Sequence, residues 1–395
     1  MNTLAATSNR IESIDILRGL VMIIMALDHV RDYFYYGAIF GDPTDLNTTT
    51  PVLFFTRFIT HYCAPIFVFL AGTSSFLYGS RKSKNELFRF LFTRGLWLIF
   101  LETVVNNLIW TFDLTYSVQV FQVIWAIGVS MLALSLIIYL PKKIILSIGL
   151  LLVAGHNLLD GIVFEGESPF AILWYTLHQE YLSISPDHVW VIGYPVIPWI
   201  GVMTLGYLFG SFYTSQTDPL WRKKWLLRLG LGALVLFFTL RGLNVYGDLV
   251  PWSVQDTTPK TILSFFNVTK YPPSLLYLCI TLGPAFLFLY GIEAIKNKAT
   301  DFLLVFGRVP LFYYFLHMIV IHSLAVVGIV LQGGKASDMI LNTERWNPEL
   351  WTDFGSSLAV VYLVWIGVVV ILYPFCKRYM AYKARHKDYW WLSYL

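Results

Sequence analysis

What most constrains this chain is the recurrence, along its 395 residues, of apolar stretches long enough to cross a bilayer. A spanning helix needs about 20 mainly apolar residues. About ten such stretches can be placed, near 15–36, 53–79, 88–110, 118–140, 142–160, 190–213, 223–244, 272–294, 302–332 and 354–376. Hydrophobic residues make up 57% of the chain and charged ones 13%, against roughly half and a quarter in soluble domains. The expected fold class is therefore all-α, a polytopic membrane helix bundle of about ten spans.

The connections between these stretches are of two kinds. One set holds Arg10, RKSKNELFR, PKK, WRKKWLLR, KNK and the tail KRYMAYKARHK. The other, YYGAIFGDPTDLNTTT, TFDLTYS, the loop from DGIVFEGESPF to HQEYLSISPDH, YGDLVPWSVQDTTPK and QGGKASDMILNTERWNPEL, has few basic and many acidic residues. The positive-inside rule then puts both termini in the cytoplasm, which requires an even number of spans. Several loops of the second set are long and rich in Trp, Tyr and Pro, and loops of that length fold back as functional caps or stay disordered. Without a fixed-period repeat, a low-complexity tract or a soluble second unit, residues 1–395 read as one membrane-embedded domain. The first apolar stretch has no cleavage site and carries charges, so it is expected to be retained. The net charge of +4 follows membrane topology and gives no reason to expect a nucleic-acid partner. Cys63, Cys279 and Cys376 lie in three separate apolar stretches without CxxC or Cys/His spacing, so neither a disulfide framework nor a metal site is expected.

Chemistry concentrates in RIESIDILRGLVMIIMALDHVRDYF, residues 10–34. As a helix, it sets Arg18 and His29 on one face, since eleven residues are three turns plus about 20°. Asp15 joins that face three residues before Arg18 and can pair with it. His29 lies roughly 16 Å deeper than Arg18, past the midplane of a core about 30 Å thick. Asp28 and Asp32 flank it, and Asp32 is placed to orient the imidazole. Ionisable groups at that depth are costly and mark functional paths by default.

The pattern Arg, ten residues, His, introduced by SIDILRG, resembles the first-helix signature of the transmembrane acyltransferases. CAPIFVFLAGTSSFLYG at 63–79, GYPVIPWIGVMTLGYLFG at 193–210, FFNVTKYPPSLLYLCITLGP at 265–284 and FGRVPLFYYFLHMIVIH at 306–322 resemble more closely the branch around heparan-alpha-glucosaminide N-acetyltransferase and its bacterial relatives. The resemblance implies transfer of an acetyl or acyl group from cytoplasmic acetyl-CoA or another acyl-CoA to an amine or hydroxyl of a sugar, glycan or glycolipid at the outer side, in a bacterial inner membrane. It matches Arg18 and His29 to the signature arginine and histidine.

Acyl transfer needs a base near neutrality and donors for the developing oxyanion. His29 suits the base, or else an acyl carrier in a two-step scheme. The candidate catalytic residues are His29, Asp28 and His317, the last mid-helix in YYFLHMIVIH with His322 five residues on, where helix–helix hydrogen bonding is the competing reading. Arg18, Arg308 and Arg81 are candidates for the CoA phosphates, although positive-inside topology also explains the Arg81, Lys82, Lys84, Arg89 cluster. His61, ahead of Pro65 in HYCAP, and Lys270, in NVTKYPPS, are candidates for the acceptor. Glu102 and Asn106 share a face and either line a cavity or bond between helices. His156 and Asp160 are expected to pair at i,i+4, whereas His178, His188 and His386 read as ordinary loop or tail residues. The expected partners are acyl-CoA, the glycan acceptor and the bilayer, with a homo-oligomer left open. A secondary transporter with a protonatable His/Asp site is the alternative from another class.

Overall fold

The computed structural model describes residues 11–37, 40–351, 354–386 and 388–393; Arg10, Ala38, Ile39 and Lys387 of the connections above lie outside them. The protein is mostly helical. Helices α1 (Glu12–Phe34), α2 (Pro51–Thr60), α3 (Cys63–Gly79) and α4 (Lys84–Phe100) come first, and α4 runs through a π-helical turn at Leu101–Asn106 into α5 (Asn107–Thr111). Then come α6 (Val123–Ile137), α7 (Lys142–Ala154), α8 (Pro169–Leu177), α9 (Val196–Phe209), α10 (Pro219–Leu243), α11 (Thr258–Phe266) and α12 (Leu275–Ile292). The last three are α13 (Lys298–Arg308), α14 (Pro310–Leu331) and α15 (Leu358–Arg385).

Local chemistry sets these boundaries. Proline opens α2, α8, α10 and α14, where its missing N–H costs nothing. Thr50, Ser168 and Asp218 accept hydrogen bonds from the first-turn amides of α2, α8 and α10. The single stretch expected at 302–332 is cut at Val309, which precedes Pro310 and is pushed out of helical geometry. The stretch at 53–79 breaks at His61 and Tyr62. YPVIP at 194–198 does not interrupt a helix; α9 begins at Val196.

Among the described residues, six helical stretches are long and apolar enough to cross a membrane: 51–79, 196–213, 219–243, 275–292, 310–331 and 358–385. The other expected stretches are helical over most of their length but differ in kind. α1 carries Glu12, Asp15, Arg18, Asp28, Arg31 and Asp32, α4 is charged and has 17 residues, and α6 and α7 have 15 and 13. On α10 and α15 large apolar side chains such as Val235, Leu363 and Val370 point outward. Such a surface suits lipid, and the protein is an integral membrane protein.

α1 runs through the middle of the bundle, against α3, α13, α14 and α15. Its start and finish define the proximal and distal ends used below. At the distal end two connections, the one between α5 and α6 and the one between α8 and α9, build a small three-stranded sheet. β1 (Val118–Phe121), expected to be helical, pairs in parallel with β3 (Val189–Ile192), which pairs antiparallel with β2 (Tyr181–Ile184). The long aromatic loops therefore do fold over the bundle.

Candidate active site

Most of α1 is buried, so its polar residues must find partners within the protein. Asp28 accepts from Arg57 at 2.5 Å and Thr60 at 2.8 Å and forms an ion pair with Arg31 at 2.7 Å. The other arm of Arg31 reaches Asp32 at 2.6 Å. Asp32, expected beside the His29 imidazole, thus pairs with an arginine. The imidazole meets a residue 288 positions away, its Nδ1 lying 2.8 Å from Nε2 of His317. His317 in turn has its Nδ1 2.8 Å from the Tyr313 carbonyl. Trp110 and Tyr314 stand edge-on to the His29 ring, with centroids at 5.3 and 5.9 Å.

His29, Asp28, Arg31, Asp32, Arg57, His61 and Lys270 all line a distal cavity of about 690 Å³, roofed by the sheet through Val120 and Val191 and by Asp42, Glu180 and Trp346. His61 is buried and its Nδ1 has no hydrogen-bond partner among the described residues. Glu180 lies in the loop before β2, where burial lifts its carboxyl to about 7, with Lys270 opposing the rise and Asp42 adding to it. Arg241, 1% exposed at the end of α10, holds the cavity's outer wall by donating to the carbonyls of Phe265, Val250, Ser264 and Asn267. Asn267 carries that wall onward with a bond to the Thr44 carbonyl.

A second cavity of about 330 Å³ opens at the proximal end. Arg18, Arg94, Arg308 and Lys383 line it, with no carboxylate among its lining residues, and apolar residues and Ser74 complete the wall. Arg18 donates to Asp15 at 2.9 Å, to Ser74 at 2.9 Å and to the Gly307 carbonyl at 3.3 Å. The inner end reaches Tyr314, which flanks both histidines. Met25, Phe67 and Val123 line both cavities, and Met25 is one helical turn before His29.

Of the eight candidate site residues, His29, Asp28, His61 and Lys270 meet at the distal cavity, with His317 behind His29, and Arg18 and Arg308 meet at the proximal one. Arg81 lies on the exposed turn after α3 and lines neither cavity. Arg31, Arg57, Arg94, Arg241 and Lys383 were missed. The first two were legible as charges inside apolar stretches; Arg94 and Lys383 were hidden among charges that topology explains. Glu102 lines neither cavity. It accepts from Asn106 at 2.6 Å and from the Trp125 amide at 3.0 Å, tying the π-helical turn to the start of α6. Asp160 pairs with His178 at 3.0 Å, not with His156, because α7 stops at Ala154 and the i,i+4 spacing no longer applies.

A membrane helix bundle in which cavities from opposite ends meet beside a buried imidazole pair belongs to the class of integral membrane proteins with a two-ended internal site. The chain is a member of the heparan-alpha-glucosaminide N-acetyltransferase catalytic family, which matches residues 10–246, more than half of its length. It is accordingly a membrane acetyltransferase in the general sense. His317, Arg308, Lys270 and Lys383 lie beyond the matched residues. Comparison with the curated proteins finds no match.

Proposed function

We propose that the protein transfers an acetyl group from cytoplasmic acetyl-CoA, entering the proximal cavity, to an amine or hydroxyl of a sugar, glycan or glycolipid held in the distal cavity. The observation that carries this reading is the meeting of the two cavities at Met25, Phe67 and Val123, one turn from His29. The proximal cavity offers four cations and an apolar shaft, which suits a ligand with phosphates at one end and a pantetheine arm at the other. Arg18, Arg94, Arg308 and Lys383 hold the phosphates. The thioester carbonyl then reaches His29, which takes the acceptor's proton or carries the acyl group itself. The distal cavity combines carboxylates, Lys270, His61 and the rings of Trp110, Tyr194 and Trp346, a mixture that binds sugar hydroxyls and amines. The acceptor in the family's name, a glucosaminide, is of that class.

In this reading residues 1–395 form one membrane domain of ten spans in a bacterial inner membrane, with both termini and the proximal cavity on the cytoplasmic side. The test uses membrane vesicles holding matched amounts of wild-type protein and His29→Ala, given labelled acetyl-CoA and a membrane extract as acceptor source. Wild type is expected to release CoA and label the glycan or lipid fraction, and His29→Ala to lose at least about 10²-fold in rate. CoA release that does not depend on His29 would overturn the assignment of the base. Its absence from wild type would overturn acyl transfer and turn attention to transport.

A further inference from the structure

The contacts of His317 settle where the hydrogens of the histidine pair lie. The Tyr313 carbonyl can only accept, so the hydrogen in its 2.8 Å contact belongs to Nδ1 of His317. His317 is fully buried, packed against the Tyr313 ring at 4.9 Å and the edge of Tyr314, and among the described residues it contacts no carboxylate. An unpaired charge in such surroundings is expensive, so the ring is neutral and its Nε2 presents a lone pair. The 2.8 Å contact from that Nε2 to His29 Nδ1 then requires its hydrogen on His29. A neutral His29 has used its one N–H, and its Nε2 is left as an acceptor.

We infer that His317 is a positioning residue that locks His29 in the Nδ1–H tautomer, so that the basic atom of the site is Nε2 of His29. A chain from a backbone carbonyl through one imidazole to another performs here the task that a buried carboxylate performs in a Ser-His-Asp triad. What Nε2 then does rests on the function proposed above; the lock itself does not.

In the direct form of that reaction, the acceptor's nitrogen or oxygen attacks the thioester carbonyl and its proton passes to His29 Nε2. The charge that appears on His29 is shared along its Nδ1–H bond to His317. The tetrahedral adduct collapses, the C–S bond breaks, and the departing thiolate recovers the proton from Nε2. The pair returns to its starting tautomers with atoms and charge balanced.

The test compares wild type with His317→Gln, whose side-chain carbonyl can accept from His29 Nδ1, and His317→Phe, which keeps the bulk and removes the acceptor. In protein labelled with ¹⁵N-histidine and purified in detergent, the His29 resonances are assigned by their loss in His29→Ala. We expect the Nδ1–H tautomer in wild type and His317→Gln and its loss in His317→Phe. In turnover, His317→Phe is expected to lose about 10²–10⁴-fold in kcat with little change in KM for acetyl-CoA, and His317→Gln to stay within about tenfold of wild type. An Nε2–H tautomer of His29 in wild type would overturn the lock. So would wild-type kcat in His317→Phe, or equal losses in Phe and Gln variants that elute as folded protein. Wild-type protein that shows the Nδ1–H tautomer but releases no CoA would leave the lock standing and remove the acetyl-transfer reading.

Discussion

At the residue scale, the polar side chains of α1 show how far periodicity reaches. It correctly put Asp15 beside Arg18 at i,i+3, and the pair is there at 2.9 Å. It placed Asp32 near His29 equally well in angle, yet Arg31 lies next to Asp32 and a guanidinium competes for a carboxylate more strongly than a neutral imidazole does. Asp28 is neutralised by Arg31 and Arg57 and has no free oxygen to act as a base, since Oδ1 also takes Thr60. These contacts tie α1 to Arg57 and Thr60 of α2 at the floor of the distal cavity. Asp28→Ala would leave two buried guanidinium groups short of counter-charge, Arg57 without its carboxylate and Arg31 with Asp32 alone, at a cost of about 3–5 kcal/mol. Adding Arg57→Ala should recover part of that loss, because it removes one of the stranded charges. Thermal unfolding of the two single variants and the double variant in detergent checks this; losses that simply add would show that the pair does not interact.

At the element scale, the proximal cavity depends on how closely α1 and α13 approach. A Cβ on Gly307 would lie 1.8 Å from the Asp15 carbonyl oxygen, and one on Gly19 would lie 1.9 Å from the Leu303 carbonyl oxygen. Only glycine permits that crossing, as in the small-residue contacts of membrane helices. Each glycine sits next to a cation of the cavity, Arg18 beside Gly19 and Arg308 beside Gly307. Gly307→Ala must push the helices apart and move both cations, so KM for acetyl-CoA should rise several-fold with a smaller change in kcat, alongside a stability loss of about 1–3 kcal/mol. Steady-state kinetics with acetyl-CoA varied would expose the opposite split if the glycine contact served the chemistry instead. The π-helical turn at Leu101–Asn106 is also a feature of elements in contact. Within it Glu102 accepts from Asn106, as their shared face allows, and it also accepts from the Trp125 amide of α6, but nothing in the local sequence announces the π-turn itself.

At the scale of the whole molecule, the two cavities are products of the bundle and belong to no single helix. The distal one is walled by α1, the α2–α3 break, the 267–271 loop and the sheet, and the proximal one by α1, α3, α4, α6, the end of α13, α14 and α15. The proposed arrangement of about ten spans with the proximal cavity in the cytoplasm makes a prediction about topology. A fluorescent protein fused after residue 395 should fluoresce in a bacterial host, and alkaline phosphatase at the same place should be inactive. Phosphatase activity there would invert the proposed orientation and move the cationic cavity away from its CoA supply.

The sequence by itself determined the class of environment, the helical stretches and one face of chemistry. Apolar runs must be buried in lipid or protein, proline and capping residues set helix starts, and the 3.6-residue period fixes which residues of one helix share a face. Family resemblance, carried by motifs within single stretches, was legible for the same reason. The tertiary structure alone decided that His317 meets His29 across 288 residues, that strands 118–121 and 189–192 pair above the cavity, and that Arg94 and Lys383 join Arg18. Those contacts depend on which helices pack together and at what distance. That choice is made by the summed fit of whole surfaces and leaves no mark in the spacing of residues along any one of them.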